Sequence, residues 1–303
     1  MYRKCFSRNR DAMSNIVVSI MMLGIVLTLI GGVLTNYMPG WAKNQEIGHM
    51  DDVLGSVTDF KSQIDSSILR EDTGALFTSR VQLGTQGGPI LNIGQTTGQL
   101  EMDPGTNPHI SQYSVTDDDG STSRNLFNTK GTLKFQGNNN YYQDQDYIYE
   151  NGAVILVQDG QVNDGIIRIN PNFMVFKDSH TDNITCYMTM VNLQSANREM
   201  ETISSSNRLA VMSSTCLLTS KEIRDYGPTG SDVTVNITSR YYTAWEDFFT
   251  GAVESPERAM DPADYQISTH TWGSNDEYGC VNVELYNVNN MIIRWGIFEI
   301  DLR

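Results

Sequence analysis

The residues with the clearest potential for chemistry in this 303-residue sequence form one acidic run, Asp117-Asp118-Asp119-Gly120. Adjacent carboxylates beside a turn-forming glycine offer oxygen ligands of the kind that calcium binds. The run lacks the alternating spacing and the distal glutamate of an EF-hand loop, so a solvated acidic turn is the competing interpretation. Calcium binding here is a hypothesis, and the sequence predicts no defined metal site and no cofactor.

The cysteines allow one covalent cross-link. They are Cys5, Cys186, Cys216 and Cys280. Cys5 precedes a long apolar run and leaves three cysteines after it, an odd number that permits at most one internal disulfide. Cys186 and Cys216 are the candidate pair, and buried free thiols are the alternative. No C-x-x-C spacing suggests zinc or redox chemistry.

Two N-x-[ST] sequons begin at Asn183 and Asn236. Such sequons are acceptors for N-glycosylation when they lie outside the cell. Because sequons also arise by chance in an asparagine-rich chain, glycosylation at these positions is an expectation to be tested by intact mass.

Enzymatic chemistry has little support in the sequence. It contains no nucleophile elbow, phosphate-binding glycine loop, zinc-protease helix or kinase signature, so we predict no catalytic residue. The four histidines, which are His49, His109, His180 and His270, have no ligand-like spacing. The net charge of −15 would repel phosphate backbones, so nucleic-acid binding is a poor hypothesis and we expect no nucleic-acid partner.

An apolar run dominates the N-terminal part of the chain. Residues 16–34 read IVVSIMMLGIVLTLIGGVL, and no charged residue occurs between Asp11 and Lys43. At 1.5 Å per residue, 19 residues make roughly 28 Å of helix, about the thickness of the hydrocarbon core of a bilayer. Four basic residues precede the run, which predicts a cytoplasmic N-terminus and everything after Trp41 outside the cell.

After this span, the spacing of the apolar residues along the sequence changes twice. Ile47, Met50, Leu54, Val57, Ile64 and Ile68 follow a heptad-like spacing, with Lys61 among the polar positions expected to face solvent or another chain. This amphipathic helix could pack on its own head domain or between subunits. From Phe77 onward, short runs of β-forming residues alternate with turn residues, and Asn287–Asn290 has the composition of a hairpin turn. The stretches 84–98 and 120–128 predict surface loops, and 243–249 a short helix.

The predicted fold class is α+β, with a long N-terminal helix followed by a mainly antiparallel β-sandwich. We divide the chain into a basic leader at 1–12, a hydrophobic transmembrane helix at 13–38, an amphipathic stalk helix at 39–72 and a β-rich extracellular head at 73–303, which could contain two subdomains.

Two stretches of this sequence resemble an uncharacterised archaeal family of type IV pilin-like surface proteins. The first stretch covers residues 1–70. It joins a basic leader and an apolar span to Tyr37-Met38-Pro39-Gly40-Trp41-Ala42, Gly48-His49-Met50-Asp51-Asp52 and Phe60-Lys61-Ser62-Gln63-Ile64-Asp65. The second is the run from Asn138 to Ile155, NNNYYQDQDYIYENGAVI.

The resemblance implies that a prepilin-type peptidase removes the leader on the cytoplasmic side. The best candidate cut lies between Ala12 and Met13, where Asp11 replaces the basic residue usual in archaeal leaders. It also implies three partners, namely further copies of the chain through the apolar helix, the type IV assembly machinery and membrane lipid.

Two functions therefore compete. In the first, the chain is a structural subunit of a cell-surface filament, and its large head favours a minor or tip position. In the second, it is a permanently anchored extracellular domain for binding or adhesion that never polymerises. Cleavage at Ala12-Met13 would favour the first, and an intact leader the second.

Overall fold

The computed structural model describes residues 8–86, 95–106, 112–118, 123–158, 165–206, 208–255, 258, 260–274 and 276–303, with side chains from residue 15 onward except those of 123–125. The α-helices of this part are α1 (Arg8–Asn36), α2 (Met38–Arg70) and α3 (Tyr242–Glu254), and a short 3-10 helix covers Gly227–Thr229. Its strands are β1 (Leu76–Gln82), β2 (Thr97–Asp103), β3 (Gln112–Asp118), β4 (Ser123–Lys130), β5 (Thr132–Asn138), β6 (Gln145–Glu150), β7 (Ala153–Gln158), β8 (Ile166–Ile169), β9 (Phe173–Lys177), β10 (Ile184–Ser195), β11 (Glu201–Ser205), β12 (Leu209–Asp225), β13 (Ser231–Ser239), β14 (Tyr265–Trp272) and β15 (Tyr278–Leu302).

The predicted α+β class, a long N-terminal helix followed by mostly antiparallel strands, is confirmed. The short helix expected at 243–249 is α3. Part of the loop prediction is wrong, because residues 123–128 belong to β4 and pair with β3. Residues 87–94 and 119–122 of the two expected loops lie outside the described part of the chain.

Helices α1 and α2 are almost one continuous helix. Only Tyr37 separates them, and helical hydrogen bonds pass through it, from Tyr37 N to Val33 O at 3.0 Å and from Trp41 N to Tyr37 O at 3.1 Å. Pro39 lies within the first two positions of α2, where its missing N–H costs no intrahelical bond. The orientation of α1 is therefore coupled directly to that of α2.

Helix α2 packs on its own head, which was one of the two alternatives. Its buried face follows residues 46, 50, 53, 57, 60 and 64, so it is centred one position earlier than predicted. Ile47 and Leu54 are only half-buried, whereas Phe60 is fully buried. The solvent-facing position predicted for Lys61 is wrong, because Lys61 is buried beside Phe60 and pairs with Asp65 at 2.5 Å.

Two sheets form the head in the described part of the chain. The larger has the order β1-β12-β15-β13-β3-β4, with β10 and β14 also paired to β15 and β9 paired to β10. The smaller has the order β11-β2-β5-β6-β7-β8. Neighbouring strands are antiparallel apart from β10 and β15, which run parallel.

Strand β15 is 25 residues long and corrects the hairpin predicted at Asn287–Asn290. The chain continues through these residues as a bulge, with Asn287 at a φ of 54°. The Asn289 side chain fixes the bulge, since its Oδ1 accepts from Ile184 N and its Nδ2 donates to Gly227 O, both at 2.8 Å. Polar residues of turn composition thus bind neighbouring backbone groups without reversing the chain.

The strands β6 and β7 are buried on both faces and separate two hydrophobic cores. One face joins α2 to the ends of β12 and β15, in a core that includes Phe60, Tyr149 and Phe298. The other face joins α3 to the first half of β15, in a core built around Trp245 and Phe249. Helix α2 is therefore an integral layer of the head.

Candidate functional site: an exposed apolar helix fixed in the head

Helix α1 presents an apolar surface that the rest of the described chain leaves uncovered. Every side chain from residue 15 to residue 30 is exposed, including Ile20, Met22 and Leu29, which are 64%, 68% and 66% exposed. An apolar surface of this extent requires lipid or protein around it, because burying apolar area is the dominant favourable free energy in water.

Three hydroxyl side chains of α1 form hydrogen bonds with the backbone of the same helix. The hydroxyl groups of Ser19, Thr28 and Thr35 each donate to the backbone carbonyl four residues earlier, at 2.9, 2.8 and 2.8 Å. In hydrocarbon, where no water can accept these hydrogen bonds, such pairing removes the cost of burying a hydroxyl. Residues 16–35 of the helix therefore suit an apolar environment, whereas its start carries the charged residues Arg8, Arg10 and Asp11.

Length and composition allow this helix to cross a membrane. The helical stretch Asn15–Arg70 contains an 18-residue window with a mean hydropathy of 2.6, none of it buried. A signal sequence near an N-terminus has the same character. The apolar helix could therefore be a membrane anchor or a signal sequence. The cytoplasmic N-terminus and the extracellular head remain predictions.

A buried carboxylate attaches α2 to the smaller sheet. Glu46 is fully buried, and its side chain accepts three consecutive backbone N–H groups from the loop between β5 and β6. Asn140 N donates to Oε1 at 3.1 Å, while Tyr141 N and Tyr142 N donate to Oε2 at 2.8 and 2.7 Å. Successive N–H groups of this kind form a concave anion site, which Glu46 fills from within the chain.

His49 makes a second contact one turn further along α2. Its Nε2–H donates to the Gln82 carbonyl at 2.8 Å, and its ring lies 6.2 Å from that of Phe135. Burial lowers the pKa of His49. Its Nδ1 is buried without a hydrogen-bond partner, which suits a neutral ring.

The hydrogen bonds of Glu46 join the two stretches on which the family resemblance rests, whereas Gln82, the partner of His49, lies in neither stretch. Glu46 and His49 belong to the first stretch, and the 140–142 loop belongs to the second. Glu46 was missed by the sequence prediction. The signal was available, because Glu46 lies four residues before Met50 and seven before Val53, on the face that is buried.

The predicted disulfide between Cys186 and Cys216 is not formed, and both cysteines are buried free thiols. Cys186 on β10 lies opposite Met291 of β15, whereas Cys216 on β12 lies opposite Phe298. Seven residues of extended strand separate those positions by roughly 23 Å. A disulfide requires Cα atoms within about 7 Å, so this fold excludes the bond. Cys5 lies outside the described residues.

The acidic run does not form a shared site in the described residues. Asp117 and Asp118 are neighbours on β3 and point to opposite faces, one buried and one exposed. The Oδ2 atom of Asp117 accepts from Tyr226 Oη at 2.9 Å and from Arg224 at 3.3 Å. The buried Asp117 is thus an ion-pair residue in a strand, while Asp119 and Gly120 lie outside the described part.

Other candidate residues are dispersed. Among the described residues, no group of three or more histidine, cysteine or acidic side chains could hold a metal ion. His180 and His270 lie in the β9–β10 turn and on β14, far apart in the topology, and His109 lies outside the described residues.

The two sequons lie in different surroundings. Asn183 is half-buried in the turn before β10, where its carbonyl accepts from Asp178 N at 2.9 Å. Asn236 is half-buried within β13, opposite Asn282 on one side and Ser114 on the other. Glycosylation of either residue stays a prediction.

The proposed peptidase site lies within α1. Residues Ala12 and Met13 are helical, and α1 begins at Arg8, four residues before Ala12. Their side chains are outside the described part. The structure therefore gives the backbone state of this site and leaves its cleavage to experiment.

Comparisons of the chain with protein-family models, with curated proteins and with solved structures gave no match.

Proposed function

We propose that this chain is a pilin-like structural subunit, in a minor or tip position, of an archaeal type IV filament at the cell surface. The observation that carries the proposal is the continuous helical connection between α1, which is apolar and uncovered, and α2, which is a buried layer of the head. The resemblance of residues 1–70 and 138–155 supports the same function.

The physical basis of this function is an exchange of surroundings for α1. A helix whose hydroxyl groups are satisfied internally can leave lipid and pack against identical helices, because both environments are apolar. At the glycines in positions 24, 31 and 32, an added Cβ would meet no described atom within 4 Å apart from the nearby backbone of α1 itself, which leaves room for close helix approach.

A permanently anchored surface domain is the second candidate. One observation favours it, namely that α1 continues without a break through Ala12 and Met13. A peptidase needs an extended or unwound segment, so an unbroken helix across this bond favours an intact leader. In this case the head would bind its target from a fixed position on the membrane.

Mapping of N-terminal peptides by mass spectrometry tests the proposal. The native protein would be taken from membranes and from sheared surface filaments. A mature end at Met13 together with recovery in the sheared fraction is the expected result. An intact Met1 found only in membranes would overturn the filament function and leave the fixed anchor.

A cysteine placed on α1 gives an independent test. Leu27 is 59% exposed and carries no polar contact. Leu27→Cys in one tagged copy should form a disulfide in the sheared fraction with a cysteine at one of the positions scanned through residues 15–27 of a second copy, because the α1 helices of neighbouring copies pack together. This disulfide is called the Leu27→Cys link, and the unmodified chain serves as the control.

A further inference from the structure

An exposed apolar row crosses the outer face of the larger sheet. Met174, Tyr187, Ile292 and Ile223 lie directly opposite one another on β9, β10, β15 and β12. Met174, Tyr187 and Ile223 are 47%, 39% and 60% exposed. Four strands about 4.8 Å apart make this row about 14 Å long.

The next row of the same face is cationic. Arg294 lies opposite Lys221 on one side and opposite Thr189 on the other. Like charges directly opposite each other destabilise a sheet. In the part of the chain that the structure describes, neither cation forms an ion pair, and Arg294 Nε is buried without a hydrogen-bond partner. In a chain of net charge −15, this pair calls for an external anion.

The C-terminal end of α2 forms the wall beside these rows. Asp65, Ser66 and Leu69 border a cleft of about 950 Å³. Its floor contains the apolar row without Ile223, together with Lys221 and Arg294 of the cationic row. Leu69 is 60% exposed. The cleft therefore combines an apolar floor with two unpaired cations, next to the helix that continues into α1.

A complementary strip lies on the same helix. Its members are exposed and face away from the head; they are Gly48, Asp51, Asp52, Gly55, Asp59 and Ser62. No ion pair involves its three carboxylates within the described residues. The two glycines have nothing within 4 Å of an added Cβ, so another surface can approach the helix backbone closely.

We propose that the cleft of one copy receives the acidic strip of α2 from a second copy. This inference rests on the proposed function, because parallel packing of α1 brings the α2 helices of neighbouring copies side by side. The carboxylates of the strip would face Lys221 and Arg294, and the small residues would let the strip approach the apolar row.

The contact has a defined geometry. The strip is centred near Gly55 and the cleft near residue 67, so 12 residues of helix, about 18 Å, separate them along the axis. Neighbouring copies are therefore staggered by about this distance. Because the two surfaces differ, the contact is heterologous and repeats from copy to copy. A staggered repeat produces an open helical filament.

Charge reversal in the full chain tests the inference. The cleft variant carries Lys221→Glu and Arg294→Glu, and the strip variant carries Asp51→Lys, Asp52→Lys and Asp59→Lys. Contact is measured as the yield of a disulfide between Ser66→Cys in one tagged copy and Gly55→Cys in a second copy, in the membrane and filament fractions. We expect either variant alone to lower the yield at least tenfold and a mixture of the two variants to restore it.

The controls separate this inference from the proposed function. Arg198→Glu with Arg208→Glu makes the same change in charge at exposed positions outside the cleft, and should leave the yield unchanged. If the Leu27→Cys link forms while the Ser66–Gly55 link does not, the cleft takes another occupant and this inference alone is overturned. If the Leu27→Cys link is absent, the filament function fails. An unchanged yield in both charge variants also overturns the inference.

Discussion

Replacing Glu46 by alanine removes the acceptor of three backbone N–H groups at once. The three donors lie 2.7 to 3.1 Å from the carboxylate oxygens, and Glu46 is fully buried. The loop that donates them is partly exposed, Tyr141 being 40% accessible, so water can replace part of what is lost. At about 1–1.5 kcal/mol for each bond, we expect Glu46→Ala to lower the free energy of unfolding by about 3–5 kcal/mol.

Urea unfolding of the detergent-solubilised chain, followed by tryptophan fluorescence, measures this loss. Trp245 lies on α3 and is fully buried in the core, so its emission reports unfolding of the head. With a denaturant slope of about 2–3 kcal/mol per molar urea, the midpoint should fall by roughly 1–2.5 M. Glu46→Gln keeps the size of the side chain and one acceptor oxygen, so it should cost about half as much.

The neighbouring Gln45 supplies the matched control. It is exposed on the same turn of α2, and Gln45→Ala should change the free energy of unfolding by less than about 0.5 kcal/mol. Hydrogen exchange adds a local readout, since the amides of residues 140–142 should lose protection in Glu46→Ala. A loss below about 1 kcal/mol with unchanged protection of these amides would refute the assigned role of Glu46.

Three further predictions concern the core. Burial lowers the pKa of His49 in the folded chain. The stability that neutral His49 contributes should therefore be complete above the ordinary pKa of histidine and be lost as pH falls through the lowered value. Between pH 8 and pH 5, the melting temperature should fall more steeply for the native chain than for His49→Gln. Gly98→Ala would place a Cβ 1.8 Å from a backbone carbonyl oxygen and should lower the free energy of unfolding by more than about 3 kcal/mol. Gly251→Ala, in an open part of α3, should raise it by about 0.5–1 kcal/mol. Urea titration measures both changes. Burial raises the pKa of Cys186 to about 12 and also raises that of Cys216. Thiol reagents at pH 8 should therefore label these two cysteines only after denaturation. Peptide mapping that found either cysteine labelled in the folded chain would contradict their burial.

The fold class could be predicted because it depends on local patterns. The apolar run, the stalk period and the short β-forming segments each carry their own signal, and the elements appear in the expected order. The length of β15 could not be predicted, because Asn287–Asn290 has the composition of a turn. Its course depends on bonds from Asn289 to residues more than 60 positions away.

The contacts that fix the helix to the head could be predicted only in part. The period of α2 indicated a buried face, but counting apolar residues alone placed it one position late and missed Glu46 and Phe60. In a sequence, a buried carboxylate can be recognised only as an acidic residue at a position where the helical spacing predicts a buried apolar one. The partners of Glu46 are backbone groups, which carry no sequence signature. The predicted disulfide between Cys186 and Cys216 was wrong for a related reason, because the spacing of cysteines along the chain does not show which strands lie side by side.

The long strand β15 also determines how this protein folds. It follows β10, β12, β13 and β14 in chain order and pairs with all four, so its hydrogen bonds span separations such as Ile184 to Val288. Contacts this distant in sequence slow folding, because the entropy of closing long loops is lost before the contacts form. Both cores need residues of β15, so neither can be completed early. While the chain waits for this strand, the apolar α1 and the unpaired strand edges are exposed together, and we expect the nascent chain to depend on the membrane or a chaperone to avoid aggregation.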